Sequence, residues 1–514
     1  MRRTVTLATI ALVLALLFSG LVFLVIPSLR PPAMDGNGAP HVIPSLREWH
    51  GGRGVFTLAA TSRIVVDPAA KEQLFDTARA FAGDLSLVTG QTLPIINLAS
   101  PEPGDIFLTL TVPDQTIGDE GYLMAVGDTL TLRAHTSTGV FYGTRSVLQM
   151  LLDDPAKSHV PQGNARDWPM YRERGFMLDV ARKFFPLSEL KGYVRLMAWF
   201  KLNDFHLHLN DNELTVGTGP DWASKYSAFR LASPRFPTLA ATDGAYTQQD
   251  MRELQDLARQ YGMTITPELD APAHALAITK FRPDLASATF DKSILDLSNP
   301  NTLPFLEALW NEFLPWFDSP QVHIGADEYV ASDGESYRQF VNALDTYLKG
   351  KGREVRAWGS LSQVSGTTPM NKDVIMDLWD NDAANAPDMA RAGYRIINAN
   401  DNLLYIVPKA GYFPDFLDTK TLYQRWQPNI FDLHDSSKNL APDDPHLLGG
   451  MFAVWNDKLG AVVSDADVYA RVRSAMPTLG QKLWGSPTES VPYSQFAALA
   501  QTLGDAPGVQ PPSP

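Results

Sequence analysis

The sequence contains no cysteine. That excludes disulfides, thiolate metal sites and cysteine nucleophiles, and it leaves export open, because exported proteins do not require disulfides. Basic residues are also scarce: 43 Lys and Arg stand against 57 Asp and Glu, for a formal net charge of -14. No Lys/Arg cluster offsets that balance, so a phosphate backbone is repelled and nucleic acid is not an expected partner. A Gly-rich loop of the kind that cradles phosphates is missing too. Charged residues make up only 19% of the chain and hydrophobic ones 45%, which is the composition of a packed globular protein rather than a disordered one.

One long uncharged run is present. After Met1-Arg2-Arg3 the residues from Thr4 to Ile26 are uncharged and mostly apolar, and Pro27 and Arg30 follow. A run of about 20 residues suits a membrane span better than the roughly 7 to 15 of a signal-peptide core, and no clear A-x-A cleavage site follows it. Residues 1–30 are therefore expected to be an uncleaved anchor with its basic start in the cytoplasm and the remaining chain exported. A long cleaved signal peptide is the alternative. Membrane contact is expected through this segment alone, and residues 31–47, rich in Pro, Gly and Ala, read as a linker.

The 514 residues accommodate a large catalytic domain and a smaller companion. Residues 48–166 mix short β-like runs at 63–66, 106–110 and 129–133 with helical stretches at 71–87 and 142–152, which predicts a small α+β domain. Over residues 167–490 short apolar segments alternate with longer amphipathic ones, the order of β/α units around a parallel sheet. Eight strands are predicted: Gly175 to Val180, Asp204 to Leu209, Thr264 to Leu269, Gln321 to Gly325, Val355 to Trp358, Val374 to Trp379, Tyr394 to Asn398 and Met451 to Trp455. Helices are expected at Ser188 to Phe200, Gln248 to Tyr261, Thr302 to Trp316 and Ser336 to Lys349, with Ser188 and Thr247 or Gln248 as start signals. Eight units predict a (β/α)8 TIM barrel, with residues 491–514 left as a tail.

Such a barrel carries its chemistry at the C-terminal ends of its strands. Those ends hold Asp179, Asn210 with Asp211, Glu268 with Asp270, Asp327 with Glu328, Trp358, Trp379 with Asp380, Asn400 with Asp401, and Trp455 with Asp457. One acidic residue there reads as a solvated loop or helix cap, but polar or aromatic residues at all eight ends point to a site. Trp and carboxylate groups converging on one cavity fit a carbohydrate, since sugar rings stack on aromatic faces and hydroxyls pair with carboxylates.

The adjacent acids in "QVHIGADEYV", Asp327 and Glu328, form the candidate reactive pair. Glycoside cleavage needs an acid for the leaving oxygen and an anionic or nucleophilic partner for the anomeric centre. Neighbours in sequence sit too close together to flank the bond from opposite sides, which favours a substrate that supplies its own nucleophile. His206 and His208 share one strand face as a metal pair would, yet no third ligand has convincing spacing, so neither metal nor cofactor is expected.

The motifs "RERGFMLDVARKFFP" (172–186), "KLNDFHLHLNDNE" (201–213), "TPELDAPAHALA" (266–277) and "HIGADE" (323–328), with the Trp-bearing strand ends, resemble glycoside hydrolase family 20, the β-N-acetylhexosaminidases. The resemblance spans roughly residues 51–484 and includes "GVFYGTRSVLQML" (139–151) ahead of the barrel. It implies a glycan substrate with a terminal β-N-acetylhexosamine and a substrate-assisted retaining mechanism, an exception to the two-carboxylate rule. Glu328 is then the acid and later the base, and Asp327 holds the nitrogen of the 2-acetamido group. By the same matching Tyr405 bonds the acetamide oxygen, and Trp358, Trp379 and Trp455 wall the pocket. Arg174 holds ring hydroxyls, and Asp211 and His274 set the proton affinity of Glu328.

Three positions depart from the family pattern. Ala326 replaces a second Gly; Val407 stands where an Asp is common; and Asp457 stands where Trp-x-Glu is usual. The last two resemble the branch that includes lacto-N-biosidases and enzymes acting on poly-N-acetylglucosamine. Two other readings compete: a surface glycan-binding protein on a disabled hydrolase scaffold, and a hydrolase with separated carboxylates such as Glu268 and Glu328. For Glu268 and Asp270 themselves a structural role is the preferred reading.

Overall fold

The computed structural model describes residues 36–459, 462–485 and 491–513. The expected anchor over residues 1–30 lies outside them, and among the described residues no helix is long and apolar enough to cross a membrane.

The first domain is a seven-stranded mixed sheet, in spatial order Glu48–Thr57, His159–Asp167, Tyr122–Val126, Leu130–Ala134, Ile106–Thr109, Ile64–Val66 and Ile95–Asn97. Its central strands Ile64–Val66 and Ile106–Thr109 are parallel and buried along their whole length, as continuous apolar runs without polar alternation require. The helix Ser137–Asp153 starts at Thr136, whose side chain accepts from the Gly139 N–H. It is buried from Gly139 to Leu151, because one side lies on the sheet and the other on the barrel. Gly143 permits the close approach, since a Cβ there would sit 2.9 Å from Leu132 and 3.0 Å from Tyr122.

All eight predicted barrel strands form. They are β1 (Glu173–Asp179), β2 (Asp204–His208), β3 (Thr264–Ala271), β4 (Gln321–Gly325), β5 (Glu354–Trp358), β6 (Ile375–Leu378), β7 (Ile396–Asn398) and β8 (Leu447–Val454). Each pairs in parallel with the next, and β8 closes on β1. The four predicted helices appear as Leu187–Trp199, Gln248–Gln260, Thr302–Phe313 and Gly334–Gly350. Thr247 caps the second through a capping box with Asp250, whereas Ser188 lies inside the first, which starts after Pro186. Between β5 and β6 the chain crosses through turns alone.

Two boundary expectations change. Residues 36–47, read as a linker, are packed: Val42 and Ile43 are buried, the Ile43 N–H donates to Gln149 Oε1 at 2.7 Å, and the Ser45 N–H donates to Gln481 Oε1 at 2.8 Å. The segment therefore straps the first domain to the helix Asp465–Trp484. Residues 491–514, read as a tail, contain the helix Tyr493–Leu503, which buries Phe496 and Leu503 and stacks Phe496 on Tyr423 at 4.4 Å.

The barrel interior is divided. One half is apolar, built from Met177, Ile375, Ile397, Met451 and Ala453. The other half, along β2 to β6, is filled by Asp204, His206, His208, Glu268, His323, Arg356 and Asp377, all buried. Interiors of this fold are usually packed with branched aliphatic residues, so the polar half calls for a purpose.

Candidate active site

The acidic pair sits just beyond β4. Gly325, Ala326 and Glu328 have φ of +72°, +71° and +48°, so the chain turns sharply where it leaves the strand. Gly325 is required there, because a Cβ would lie 1.6 Å from Asp270 Oδ1. Tyr337 Oη donates to the Ala326 carbonyl at 2.7 Å and pins the turn from the following helix. The left-handed turn lets two consecutive carboxylates line one pocket, which an extended strand would point to opposite faces. Burial pushes Asp327 up to about 6 against the pull of His274, with Glu328 adding to the rise. Its Oδ1 is buried without a hydrogen-bond partner.

Glu328 is more open, with its side chain 59% exposed and Oε2 3.3 Å from His274 Nε2. That imidazole holds the Glu328 carboxyl below its ordinary range, outweighing burial. His274 Nδ1 lies 3.0 Å from Asp211 Oδ1, and although burial opposes the charge, Asp211, Asp327 and Asp270 together hold His274 well above its ordinary value. Asp211 and His274 thus stand behind the acid, where the sequence resemblance puts them.

Arg174 does not join them. It lies at the N-terminal end of β1, the opposite pole of the barrel, with Nε donating to the Lys201 carbonyl at 2.8 Å and Nη2 to Glu120 Oε1 at 2.6 Å. It cannot hold sugar hydroxyls from there. The arginine that lines the pocket is Arg182, from the same motif but past the C-terminal end of β1. Asp179 builds its turn by accepting from the Ala181 and Arg182 N–H groups at 3.0 and 2.9 Å. Arg182 Nη1 then lies 2.8 Å from Asp211 Oδ2 and 3.4 Å from Asp457 Oδ1. The strand-end rule applied to this motif was the available signal.

Tyr405 lines the pocket, held there because Tyr405–Ile406 pairs with the end of β8, and burial together with the Asp327 charge keeps its hydroxyl well above the ordinary range. Trp379 and Trp455 are further walls, with Val407, Phe413 and Leu214. Trp358 is placed lower: it is 1% exposed, lies behind Trp455 at 5.7 Å, and donates from Nε1 to Glu268 Oε1 at 2.7 Å. Asp457 reaches the pocket, but its Oδ2 accepts from Tyr412 Oη at 2.6 Å. Glu268 is buried beneath the floor and accepts from His206 Nε2 at 2.9 Å and His208 Nδ1 at 2.6 Å, away from any substrate. The donor atoms of His206, Glu268 and His323 lie within 4.8 Å of one another, and a cation there would have to displace these hydrogen bonds.

Comparison with known proteins agrees with this geometry. The family model "Glycosyl hydrolase family 20, catalytic domain" matches residues 171–337 and 331–477, and "Glycosyl hydrolase family 20, domain 2" matches residues 39–168. A lacto-N-biosidase of Bifidobacterium bifidum is 25% identical over 494 residues, covering 90% of this chain and 42% of that protein. A β-N-acetylhexosaminidase of Cellulomonas fimi is 27% identical over 427 residues, covering 79% of this chain and 82% of its own. Among solved structures, the family 20 β-N-acetylhexosaminidase from Streptomyces coelicolor A3(2) superposes with a TM-score of 0.76 at 21% identity, over 93% of this chain and 98% of that one, and so shares the fold. With the barrel, its companion domain and the strand-end acids in place, the chain belongs to glycosyl hydrolase family 20.

Proposed function

We propose that the protein is a retaining β-N-acetylhexosaminidase in which the substrate's own 2-acetamido group is the nucleophile. The observation that carries this reading is the left-handed turn after β4, which points Asp327 and Glu328 into one pocket with Tyr405. Glu328 gives its proton to the glycosidic oxygen as the acetamide carbonyl oxygen bonds to the anomeric carbon and the glycosidic bond breaks. Asp327 accepts from the acetamide N–H and stabilises the positive charge of the oxazolinium ring, while Tyr405 donates to the acetamide oxygen and orients it. Glu328 then takes a proton from water as the water oxygen opens the ring from the same face, so configuration is retained. A sugar over Glu328 removes water from its exposed side chain, which raises the proton affinity that His274 depresses in the open site.

The test is release of the aryl group from an aryl β-N-acetylglucosaminide beside the matching β-glucoside. Cleavage of the acetamido sugar alone is expected; equal cleavage of both would sink the roles of Asp327 and Tyr405. One observation favours a second reading, release of a disaccharide such as lacto-N-biose. Val407 offers no acceptor, and the carboxylate of Asp457 is already engaged by Tyr412 and Arg182, so the pocket side across the barrel from β4 is poor in free partners for hydroxyls of a terminal sugar. Aryl lacto-N-bioside cleaved faster than the monosaccharide would select it. We also propose that the protein acts outside the cytoplasm on an N-terminal anchor, a reading supported by the Arg2-Arg3 start and the apolar run that follows it. Membrane fractionation of the chain with and without residues 1–30 checks this, and the shortened form should leave the membrane.

A further inference from the structure

The polar half of the barrel interior continues inward from the ion pair of Glu328 Oε2 and His274 Nε2, 3.3 Å apart. From the pocket the groups run Glu328, His274, Asp211, His208, Glu268, alternating acid and imidazole. Asp211 Oδ2 lies 2.7 Å from His208 Nε2, and His208 Nδ1 lies 2.6 Å from Glu268 Oε2. Glu268 also receives the Trp358 N–H and His206 Nε2, so three donors surround it and favour its anion, while His323 Nδ1, 3.0 Å away, accepts the Gly325 N–H instead. Asp211 is surrounded likewise by Arg182 Nη1, His274 Nδ1 and the Asn212 N–H at 2.7 Å. An imidazole wedged between two carboxylates that both accept must carry a proton on each nitrogen.

We propose that His208 and Glu268 are positioning residues for the reaction: a doubly protonated His208, held by Glu268, occupies one oxygen of Asp211 and thereby shifts the proton shared by His274 and Glu328 toward Glu328. The inference rests on the proposed role of Glu328 as the acid. His208 and Glu268 do not line the pocket, so they act through Asp211 and His274. With His208⁺ and Arg182 both drawing on Asp211, that carboxylate holds the His274 proton less tightly. Without His208⁺ the pair keeps its proton to higher pH, but on His274, where it cannot reach the leaving group. The other charged or titratable groups facing this chain include Asp179 at the end of β1 and Arg182 beyond it, His206 on β2, Asp270 on β3, His323 and Asp327 at β4, Arg356 on β5, and Tyr405 and Asp457 on the far side of the pocket. Burial opposes the charge on His208, and the neighbouring carboxylates, Glu268 foremost, hold it well above the ordinary imidazole value, in keeping with the geometry.

The test has two readouts. In the intact protein, imidazole ¹⁵N NMR should show His208 with both nitrogens protonated up to pH 8, and Glu268→Gln should leave that ring neutral. In pH profiles of kcat/KM on the aryl β-N-acetylglucosaminide, Glu268→Gln and His208→Gln should each lower the plateau about tenfold and move the basic limb about one unit to higher pH, with KM unchanged. A neutral His208 in the wild type, or variants whose profiles are scaled without a moved limb, would overturn the proposal. If the wild-type protein cleaves no acetamido sugar, the functional reading has failed, and the wild-type ring spectrum still decides whether His208 carries the charge. That spectrum also needs no variant to fold.

Discussion

Arg174 and Arg182 sit eight positions apart in one motif, at opposite ends of β1, and both are buried. At the lower end the guanidinium of Arg174 is fully used by the Lys201 and Tyr171 carbonyls and by Glu120 of the companion domain, and it lies over Trp484 at 5.2 Å. Beside it Lys201 Nζ donates to Asp167 Oδ2 at 2.9 Å, and Trp484 Nε1 lies 3.1 Å from Asp167 Oδ1. At the upper end Arg182 shares its Nη1 among three carboxylates, and polar atoms nearby, including Asp327 Oδ1, both Asp270 oxygens and Trp379 Nε1, are buried without partners. One end spends its polar groups on joining two domains; the other keeps them unsatisfied and strained for a ligand.

That contrast can be broken by experiment. The largest effect belongs to the upper end: Glu328→Gln should lower kcat by about 10²- to 10⁴-fold, with unfolding free energy within about 0.5 kcal/mol of the wild type. A loss of stability of the same order as the loss of rate would erase the distinction. Next come the two arginines. Arg174→Met, which strands Glu120 and leaves buried carbonyls unpaired, should cost roughly 3–5 kcal/mol in denaturant unfolding while the folded fraction keeps its kcat and KM. Arg182→Lys should instead lose roughly 10- to 100-fold in kcat/KM and little stability. A swap of these outcomes would refute the assignment of Arg182 to the site.

A smaller effect concerns the buried acid. The folded carboxyl of Asp327 sits at about 6, above the unfolded value of about 3.9. The folded state therefore binds the proton more tightly, and stability falls as pH rises from about 4 to about 6. Asp327→Asn removes that penalty, so it should melt higher than the wild type above pH 6, by about 1–3 °C, with the advantage gone at pH 4 and activity lost throughout. An equal advantage at both pH values would point to packing instead of charge. The smallest change is Ala326→Gly, expected to stabilise by up to about 1 kcal/mol because φ at this position is +71°. Thermal melts would show a lower Tm if the buried Ala326 methyl contributes more than the strain removes.

Much of this was legible in one dimension. Each barrel strand is a short apolar run bounded by turn residues, so its position follows from local pattern, and the acids at 327 and 328 follow from the rule about strand ends. The same rule separates Arg182 from Arg174, since only the former lies beyond its strand. The helix Tyr493–Leu503 and the packed segment 36–47 were harder to read, because what defines them is burial against partners hundreds of positions away, as in the Ser45 contact with Gln481. Trp358 is a pocket wall by the family resemblance, and it lies beneath the floor because its indole N–H is drawn to Glu268.

By itself the sequence determined the barrel, the acidic pair and the class of chemistry, because these rest on periodicity and on residues near each other along the chain. The tertiary structure alone decided that Trp358 lies beneath the pocket floor and how Asp211, His208 and Glu268 line up behind the acid. Those outcomes depend on which side chains of separate strands meet inside a closed barrel, where exclusion of water makes every charge answer to its neighbours.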